Sequence, residues 1–397
     1  MIAAMAPSPD LRALPAAAPL LAALDRDPRA WVVGGAVRDL LLGGGDAVVD
    51  LDLVIEGDAV EVARRVCAAL DGTLVVHDRF GTATVEAAGH VYDLATARAE
   101  SYARPGALPD VRPGTLAEDL LRRDFTVNAI AASLDGRVQA APHAFEDLDA
   151  RELRILHERS FHDDPTRLLR LVRYATRLGF GVEARTAELA QEAVAEDALA
   201  TLTPARIGGE LRLLLCEPSA VAALEWVARW PLGVALSFDR ALACRALALL
   251  PADARRDLLL LGSAARVVAP GALAGWLDAL EFVGRERDVV VRVARADGIE
   301  GRLARAGCPS EIAAVARALP VEAVALAGAL GAETQARAWI EDLRGVKLAI
   351  DGADLLAAGV PQGPALGRAL AAALDASLDG AAPDRDAQLA VALAAAR

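Results

Sequence analysis

The 397-residue chain is poor in aromatic residues, cysteine and lysine, and each shortage closes off a reading. Aromatics make up 4% of the residues against 54% hydrophobic overall, so the core has to be built from Ala, Leu and Val. An apolar share this high offsets chain entropy and excludes disorder for most of the sequence. The four cysteines, Cys67, Cys216, Cys244 and Cys308, lie far apart and form no CxxC or Cys/His cluster. That argues against a zinc site or disulfide framework and for buried, reduced thiols in a cytoplasmic protein. The histidines, His77, His90, His143, His157 and His162, show no metal-ligand spacing and read as surface or packing residues. No uncharged run approaches the ~18 residues of a membrane span. Met1–Asp10 has neither the basic nor the apolar region of a secretory signal. Basic residues number 42, Lys347 alone among them being lysine, and 55 acidic residues outweigh them, for a net charge of −13. Such a chain does not coat nucleic acid indiscriminately, but it leaves room for a local basic groove.

The remaining pattern divides the chain in two. Residues 10–24 read as a short helix with Asp10 as N-cap. Ala30–Val33 is a short apolar run ending in Gly34-Gly35, and Val37–Leu42 reads as helix. Val48–Ile55 alternates apolar and acidic residues, the mark of a half-exposed strand, and Ala59–Leu70 is helical. Thr73–His77, Thr82–Ala87 and Val91–Thr96 read as closely spaced strands, suiting an antiparallel or mixed sheet. Residues 101–115, with three prolines and two glycines, read as a long functional or mobile loop. From Leu116 onward the pattern is almost wholly helical, cut by Pro and Gly at 202–209, 231–233, 250–252, 269–275 and 307–309. No fixed repeat period is visible, so a regular solenoid is not supported.

Chemistry concentrates in the first part. A glycine pair between strand and helix, Gly34-Gly35, lets backbone N–H groups approach a phosphate, and Arg38 sits where its fork can reach the same group. Asp50 and Asp52 lie two apart on a strand, so both carboxylates point to one face. Two carboxylates beside a phosphate cradle suit a pair of Mg²⁺ ions that activate a hydroxyl and stabilise a departing pyrophosphate.

In this order and spacing the chain resembles the tRNA nucleotidyltransferase/poly(A) polymerase family, the bacterial-type CCA-adding enzymes with a DNA-polymerase-β-like catalytic head. Further matches follow in register. Residues 82–98 resemble the family's hairpin and put Asp93 where a third active-site carboxylate is expected. Arg122-Arg123-Asp124-Phe125-Thr126-Val127-Asn128-Ala129 is close to the RRDFTxNA motif, which implies ribose contacts from Asp124 and Asn128 and a nucleotide-binding role for Arg123. Asp163-Asp164-Pro165-Thr166-Arg167 resembles the EDxxR motif, which implies that Asp164 and Arg167 read the edge of the incoming base in place of a template. An Asp/Arg pair three apart on a helix lies on one face, where Arg offers only donors and Asp only acceptors. A mismatched base leaves buried groups unpaired at about 1–3 kcal/mol each. Arg167, Arg170, Arg173 and Arg177 share one side of a helical wheel, an electropositive wall or a solvated, acid-paired face. Thr203-Pro204-Ala205-Arg206 with Glu210 resembles the following helix-start motif, and Asp351–Gly367 the tail of the tRNA enzymes.

The resemblance implies an α+β head with a small mixed sheet (1–140), then an extended all-α neck (141–215), body (216–300) and tail (301–397). It implies addition of CMP and/or AMP to the tRNA 3′ end from CTP and ATP. Asp50 and Asp52 would hold Mg²⁺, Asp93 would orient the 3′-hydroxyl, and Gly34, Gly35, Arg38 and Arg170 would serve the nucleotide. The alternatives are A addition alone, poly(A) synthesis, or an inactive RNA-binding relative. The loop at 101–115 disfavours CC addition alone, and the tail segment disfavours poly(A) synthesis. The chain departs from the family at residues 141–148, where Ala-Pro-His-Ala replaces a Gly-Gly hinge, at Asp163 in place of Glu, and at Val49 and Gly43–Gly45.

Overall fold

The computed structural model describes residues 9–24, 27–44, 50–77 and 81–396. Val48 and Val49, Gly45, and all of Met1–Asp10 before Pro9 lie outside them. The described chain forms two compact units that divide between Thr203 and Pro204, inside the stretch assigned to a neck.

The first unit opens differently from its expected single helix. Asp10 caps only a 3₁₀ turn, Leu11–Ala13, and Leu14 is extended. Pro15 forces that break, since the residue before proline is driven out of the helical region. The helix α1 then runs Ala17–Leu24. Next come β1 (Ala30–Val33), α2 (Gly35–Leu41), β2 (Asp50–Ile55) and α3 (Ala59–Leu70). Asp58 caps α3 by accepting from the Val60 and Glu61 N–H groups. The strands β3 (Thr73–His77), β4 (Thr82–Ala87) and β5 (His90–Thr96) follow the alternation closely.

Two expectations are revised beyond this point. Residues 102–109 of the expected loop at 101–115 carry no regular structure, but they form the tip of a hairpin, β6 (Arg98–Ser101) against β7 (Asp110–Pro113). After α4 (Leu116–Leu121), the wholly helical pattern is broken by β8 (Ile130–Ser133) and β9 (Val138–Ala140). The reasons are physical. All four β8 residues are buried, so they carry no alternation, and a short apolar run does not distinguish strand from helix. Strand β7 is wholly exposed and ends in a proline tolerated at a sheet edge.

The strands form a mixed sheet in the order β3-β4-β5-β2-β1-β8-β9. β2 and β5 run parallel and the other neighbours antiparallel. One face of β2 presents Leu51, Leu53 and Ile55 to the core, and α3 packs across β4 and β5. On the other face, α4 sets Leu116 and Leu120 against Trp31, Val33 and Val54, leaving the end that carries Asp50 and Asp52 open. After β9 the unit turns helical: α5 (Ala144–Ala150), α6 (Ser160–Asp163), α7 (Thr166–Leu178) and α8 (Ala184–Ala195), with the short parallel pair β10 (Glu152–Leu153) and β11 (Gly181–Val182) between them.

The second unit is helical throughout its regular structure, from α9 (Pro204–Cys216) to a last helix at Arg385–Ala395. Several expected breaks prove to be starts. Pro204, Pro270 and Pro309 each open a helix, as does Pro364 beyond those breaks, because the missing N–H of proline costs nothing there. Its end has a separate small core of Ile350, Leu355, Val360, Ala369, Ala373 and Ala392. All four cysteines are free, but Cys216 and Cys244 are exposed, not buried as expected. No single helix among the described residues is long and apolar enough to cross a membrane. The architecture is thus an α+β head with a largely helical remainder.

Candidate active site

The parallel register of β2 and β5 sets Asp52 directly across from Asp93. Asp50 lies two residues before Asp52, so the three carboxylates share one face. Thr84 on β4 pairs with Asp93 and donates its hydroxyl to Asp93 Oδ1 at 2.6 Å. Burial raises the Asp52 pKa, Arg123 opposes the rise, and Asp93 and Asp50 add to it. Solvent still reaches Asp52 at the strand's open end. A carboxylate repelled by its neighbours yet open to the cavity is where a cation relieves the most.

Gly34 stands at the end of β1 with φ 70° and ψ −133°, a conformation essentially reserved for glycine. A Cβ there would lie 3.2 Å from Arg123 Nη1 and 4.0 Å from Asp52 Oδ2. Gly34 thus keeps the space beside the carboxylates clear. Its own N–H is committed to Ile130 O. Arg38, expected to reach phosphate, is turned inward and only 1% exposed. It donates from Nη1 to Asn128 Oδ1 at 2.5 Å and from Nε to Asp39 Oδ1 at 2.8 Å. The cation next to the carboxylates is Arg123, paired with the fully buried Asp119 at 3.1 Å. Burial lowers the Arg123 pKa while Asp119 supports it, and Arg123 Nε is buried without a hydrogen-bond partner among the described residues. That orphaned donor is what an incoming phosphate oxygen would satisfy.

Two cavities adjoin here, both lined by Arg98, Arg122 and Arg123. The first, about 420 Å³, contains Asp52 and Asp93. The second, about 320 Å³, brings together Asp124, Asp164, Arg167 and Arg170. The sequence placed Asp164 and Arg167 on one helix face. Asp164 in fact precedes α7 in an extended conformation and accepts from the Thr166 N–H and hydroxyl, a capping role. Arg167 is 4% exposed. It donates to Ser160 Oγ and to Arg122 O, both at 2.6 Å, which fixes its plane rigidly beside the cavity. The arginine face of α7 is neither a solvated face nor a simple wall. Arg167 and Arg173 are buried, and Arg170 pairs with Asp124 Oδ2 at 2.6 Å. Arg38, Arg170 and Arg173 all pack around the Tyr174 ring. Asp124 Oδ1 accepts from Asn128 Nδ2, so the buried Arg38, Asn128 and Asp124 and the half-buried Arg170 form one hydrogen-bonded chain. Burial raises the Asp124 pKa, but Arg170, Asn128 and Arg167 more than offset it. Asp124 therefore stays an anion that organises the pocket.

Sequence reasoning missed the residues that hold these groups. Glu100, its side chain 7% exposed, accepts from Arg98, Arg122 and the Tyr102 hydroxyl. Burial pushes the Tyr102 hydroxyl pKa up, and Glu100 adds to the rise. Asp147 accepts from Thr126 Oγ1 at 2.7 Å and from Arg154, tying the altered hinge segment to the motif around Asp124. One signal was available: Thr115 and Glu118 have capping-box spacing, which would have fixed the start of α4 and so the place of Asp119.

Nucleotidyltransferases of this type work with a divalent metal, and the donor set suits one in part. No ready-made group of three metal-ligating side chains occurs among the described residues. A hard dication of the magnesium kind needs no such cage. It binds through one or two carboxylates, water and substrate phosphates, which Asp50 and Asp52 beside the cleared Gly34 can provide.

Comparison with known proteins agrees with the motifs. Residues 30–154 match the family model described as the Poly A polymerase head domain. The chain is 44% identical over 221 residues to an A-adding tRNA nucleotidyltransferase of Halalkalibacterium halodurans, covering 53% of this chain and 51% of that protein. It is 40% identical over 217 residues to a CC-adding tRNA nucleotidyltransferase of Deinococcus radiodurans, covering 53% and 56%. The match thus spans about half the length of these relatives. The fold resembles that of a Thermotoga maritima CCA-adding enzyme complexed with tRNA-CCA, with a TM-score of 0.74, 27% identity, and coverage of 96% of this chain and 94% of that one.

Proposed function

Since the chain resembles the CCA-adding enzyme family in motifs, head sequence and fold, we propose that it adds CMP and/or AMP to the 3′ end of tRNA. The substrates are CTP and ATP, the product is pyrophosphate, and the compartment is the cytoplasm, where tRNA and nucleoside triphosphates occur. The observation that carries this reading is the register that sets Asp52 beside Asp93, with the Asp164/Arg167 pocket sharing Arg122 and Arg123 with the same cavity.

The roles follow from placement. Asp50 and Asp52 would hold Mg²⁺, which would supply charge neutralisation on the triphosphate and lower the cost of ionising the attacking hydroxyl. Gly34 and Gly35 leave room for the phosphates, and Arg123 donates to them. Arg38 holds Asn128 in place. Asp124 and Asn128 stand by the ribose, and Arg170 holds Asp124 ionised. Asp164 and Arg167 present acceptor and donor edges to the base. The 3′ oxygen of the RNA bonds to the α-phosphorus, the bond to the bridging oxygen breaks, and pyrophosphate leaves with that electron pair. The hydroxyl proton passes to Asp93, whose Oδ1 is already held by Thr84.

A narrower reading, A addition alone, is favoured by one observation. The hinge segment is pinned by Asp147 to Thr126 and Arg154, and Asp147 is 3% exposed. A pinned hinge suits a pocket that keeps one base geometry. The test uses tRNA transcripts lacking the last three, two or one nucleotides, each with Mg²⁺ and labelled CTP or ATP. Extension of the shortest by three nucleotides establishes CCA addition. Extension only of the transcript ending in CC, with ATP, establishes A addition. No incorporation into any transcript would refute the proposal.

A further inference from the structure

The sheet order makes the two sides of Asp52 chemically unlike. On the β1 side stand Gly34 and the Arg123 guanidinium. On the other side, one register row runs from Asp52 to Asp93 to Thr84. The next row on the same face runs from Val54 to Ala95 to Thr82 to His77. The 420 Å³ cavity spans both sides, from Arg123 past Asp52 and Asp93 to Thr84, Thr82 and His77. The nucleotide-binding roles above make no use of Thr82 or His77, and the histidine spacing alone marks His77 as a surface or packing residue.

We infer that the β4–β3 face formed by Thr84, Thr82 and His77 seats the terminal ribose and last phosphodiester of the acceptor RNA. The inference rests on the function proposed above. Its argument is geometric. In an in-line displacement the attacking and leaving oxygens lie on opposite sides of the reacting phosphorus. The pyrophosphate leaves toward Gly34 and Arg123, on the β1 side. The attacking 3′ oxygen therefore arrives from the β5 side, over Asp93. Strands are spaced by ~4.8 Å, so Thr84 lies ~10 Å from the Asp52 strand, which leaves room for one sugar beyond the attacking oxygen. The groups found there suit that sugar. A ribose 2′-hydroxyl both donates and accepts, threonine hydroxyls do the same, and an imidazole N–H donates. Thr84 has committed its proton to Asp93, which leaves the Thr82 hydroxyl, one register row further along the same face, to pair with the 2′-hydroxyl. His77, exposed at the end of β3, is placed to donate to the phosphate that follows. Thr84 is thereby a positioning residue for Asp93, while Thr82 and His77 contact the RNA.

The test measures KM for tRNA and for the nucleotide separately in the full-length wild type, Thr82→Val and His77→Ala. Loss of one hydrogen bond raises the tRNA KM about five- to tenfold in each variant, with the nucleotide KM within about twofold of wild type. A transcript with a 2′-deoxy terminal nucleotide loses a similar factor on the wild type and none on Thr82→Val. Unchanged tRNA KM in both variants, or a parallel rise in the nucleotide KM, overturns the inference. His77 is exposed, so its variant keeps the sheet even where Thr82→Val does not fold, and melting curves report which case holds. A wild type that transfers nothing to tRNA refutes the function itself, and the inference with it.

Discussion

The carboxyl of Asp52 sits above its ordinary pKa of 3.8, chiefly through burial, with Asp93 and Asp50 adding to the rise. A raised carboxyl pKa means that the folded state holds this proton more tightly than the unfolded chain does. The stability this group contributes is fully present below the unfolded value and is lost as pH rises through the folded one. At neutral pH, without divalent ions, the ionised side chain therefore works against the fold. Asp52→Asn is expected to raise the melting temperature at pH 7, and the gain should shrink as pH falls through the Asp52 pKa. Added Mg²⁺ should raise the melting temperature of the wild type and leave that of the variant almost unmoved. Transfer activity should fall by more than about a hundredfold, beyond the loss from disturbing only a ligand's supporting contacts. A variant that melts lower than wild type at pH 7 in EDTA would show that Asp52 is structural.

At the scale of elements, the β6–β7 hairpin shows most directly how local sequence and tertiary context divide the work. Its tip is held by the Gly106 N–H donating to His162 O at 3.2 Å. Gly106 has φ +67°, and a Cβ there would collide with Thr201, lying 2.9 Å from its carbonyl oxygen. Left-handed backbone costs a residue with a Cβ roughly 1–2 kcal/mol before any collision is counted. Gly106→Ala is thus expected to release the tip and loosen the wall that Tyr102 and Pro109 give the base cavity. Limited proteolysis should then cut between residues 102 and 109 several times faster, and the nucleotide KM should rise. Equal cutting rates would mean that the tip is held elsewhere. The hairpin reads as a loop in sequence because Pro105, Pro109 and Pro113 punctuate it and neither the half-buried β6 nor the exposed β7 carries an apolar alternation. By contrast, β2 through β5 were legible because Leu51, Leu53, Val85 and Leu94 alternate with polar residues on a half-buried sheet. The carboxylate row was legible for the same reason, since period two dictates which side chains share a face. Arg38 was not. Its inward turn depends on Asn128, 90 residues away, and no local pattern encodes that contact.

For the whole molecule, the candidate nucleotide site lies entirely within the first unit, between Gly34 and Arg170, although that unit ends at Thr203. The second unit supplies none of these residues, yet its segment from Asp351 to Gly367 is the part that resembles the tail of tRNA enzymes. At a net charge of −13, the proposed RNA substrate would have to be held by local contacts rather than by overall attraction. Helical RNA is gripped mainly through backbone and shape, which calls for a footprint much wider than one nucleotide pocket. Hydrogen exchange on the full chain separates the two roles. ATP or CTP with Mg²⁺ is expected to slow exchange only within residues 30–203, most strongly around Gly34, Asp52 and Arg123. A tRNA ending in CC is expected to slow exchange there and also within 204–397. That second protection should weaken steeply as salt rises from about 50 to 200 mM, because each phosphate contact releases a counterion. Protection of 204–397 by nucleotide alone would place part of the nucleotide site in the helical unit. Protection by tRNA confined to the first unit would leave the Asp351–Gly367 segment without a role in RNA binding, and its likeness to the tRNA enzymes would then mark shared descent alone.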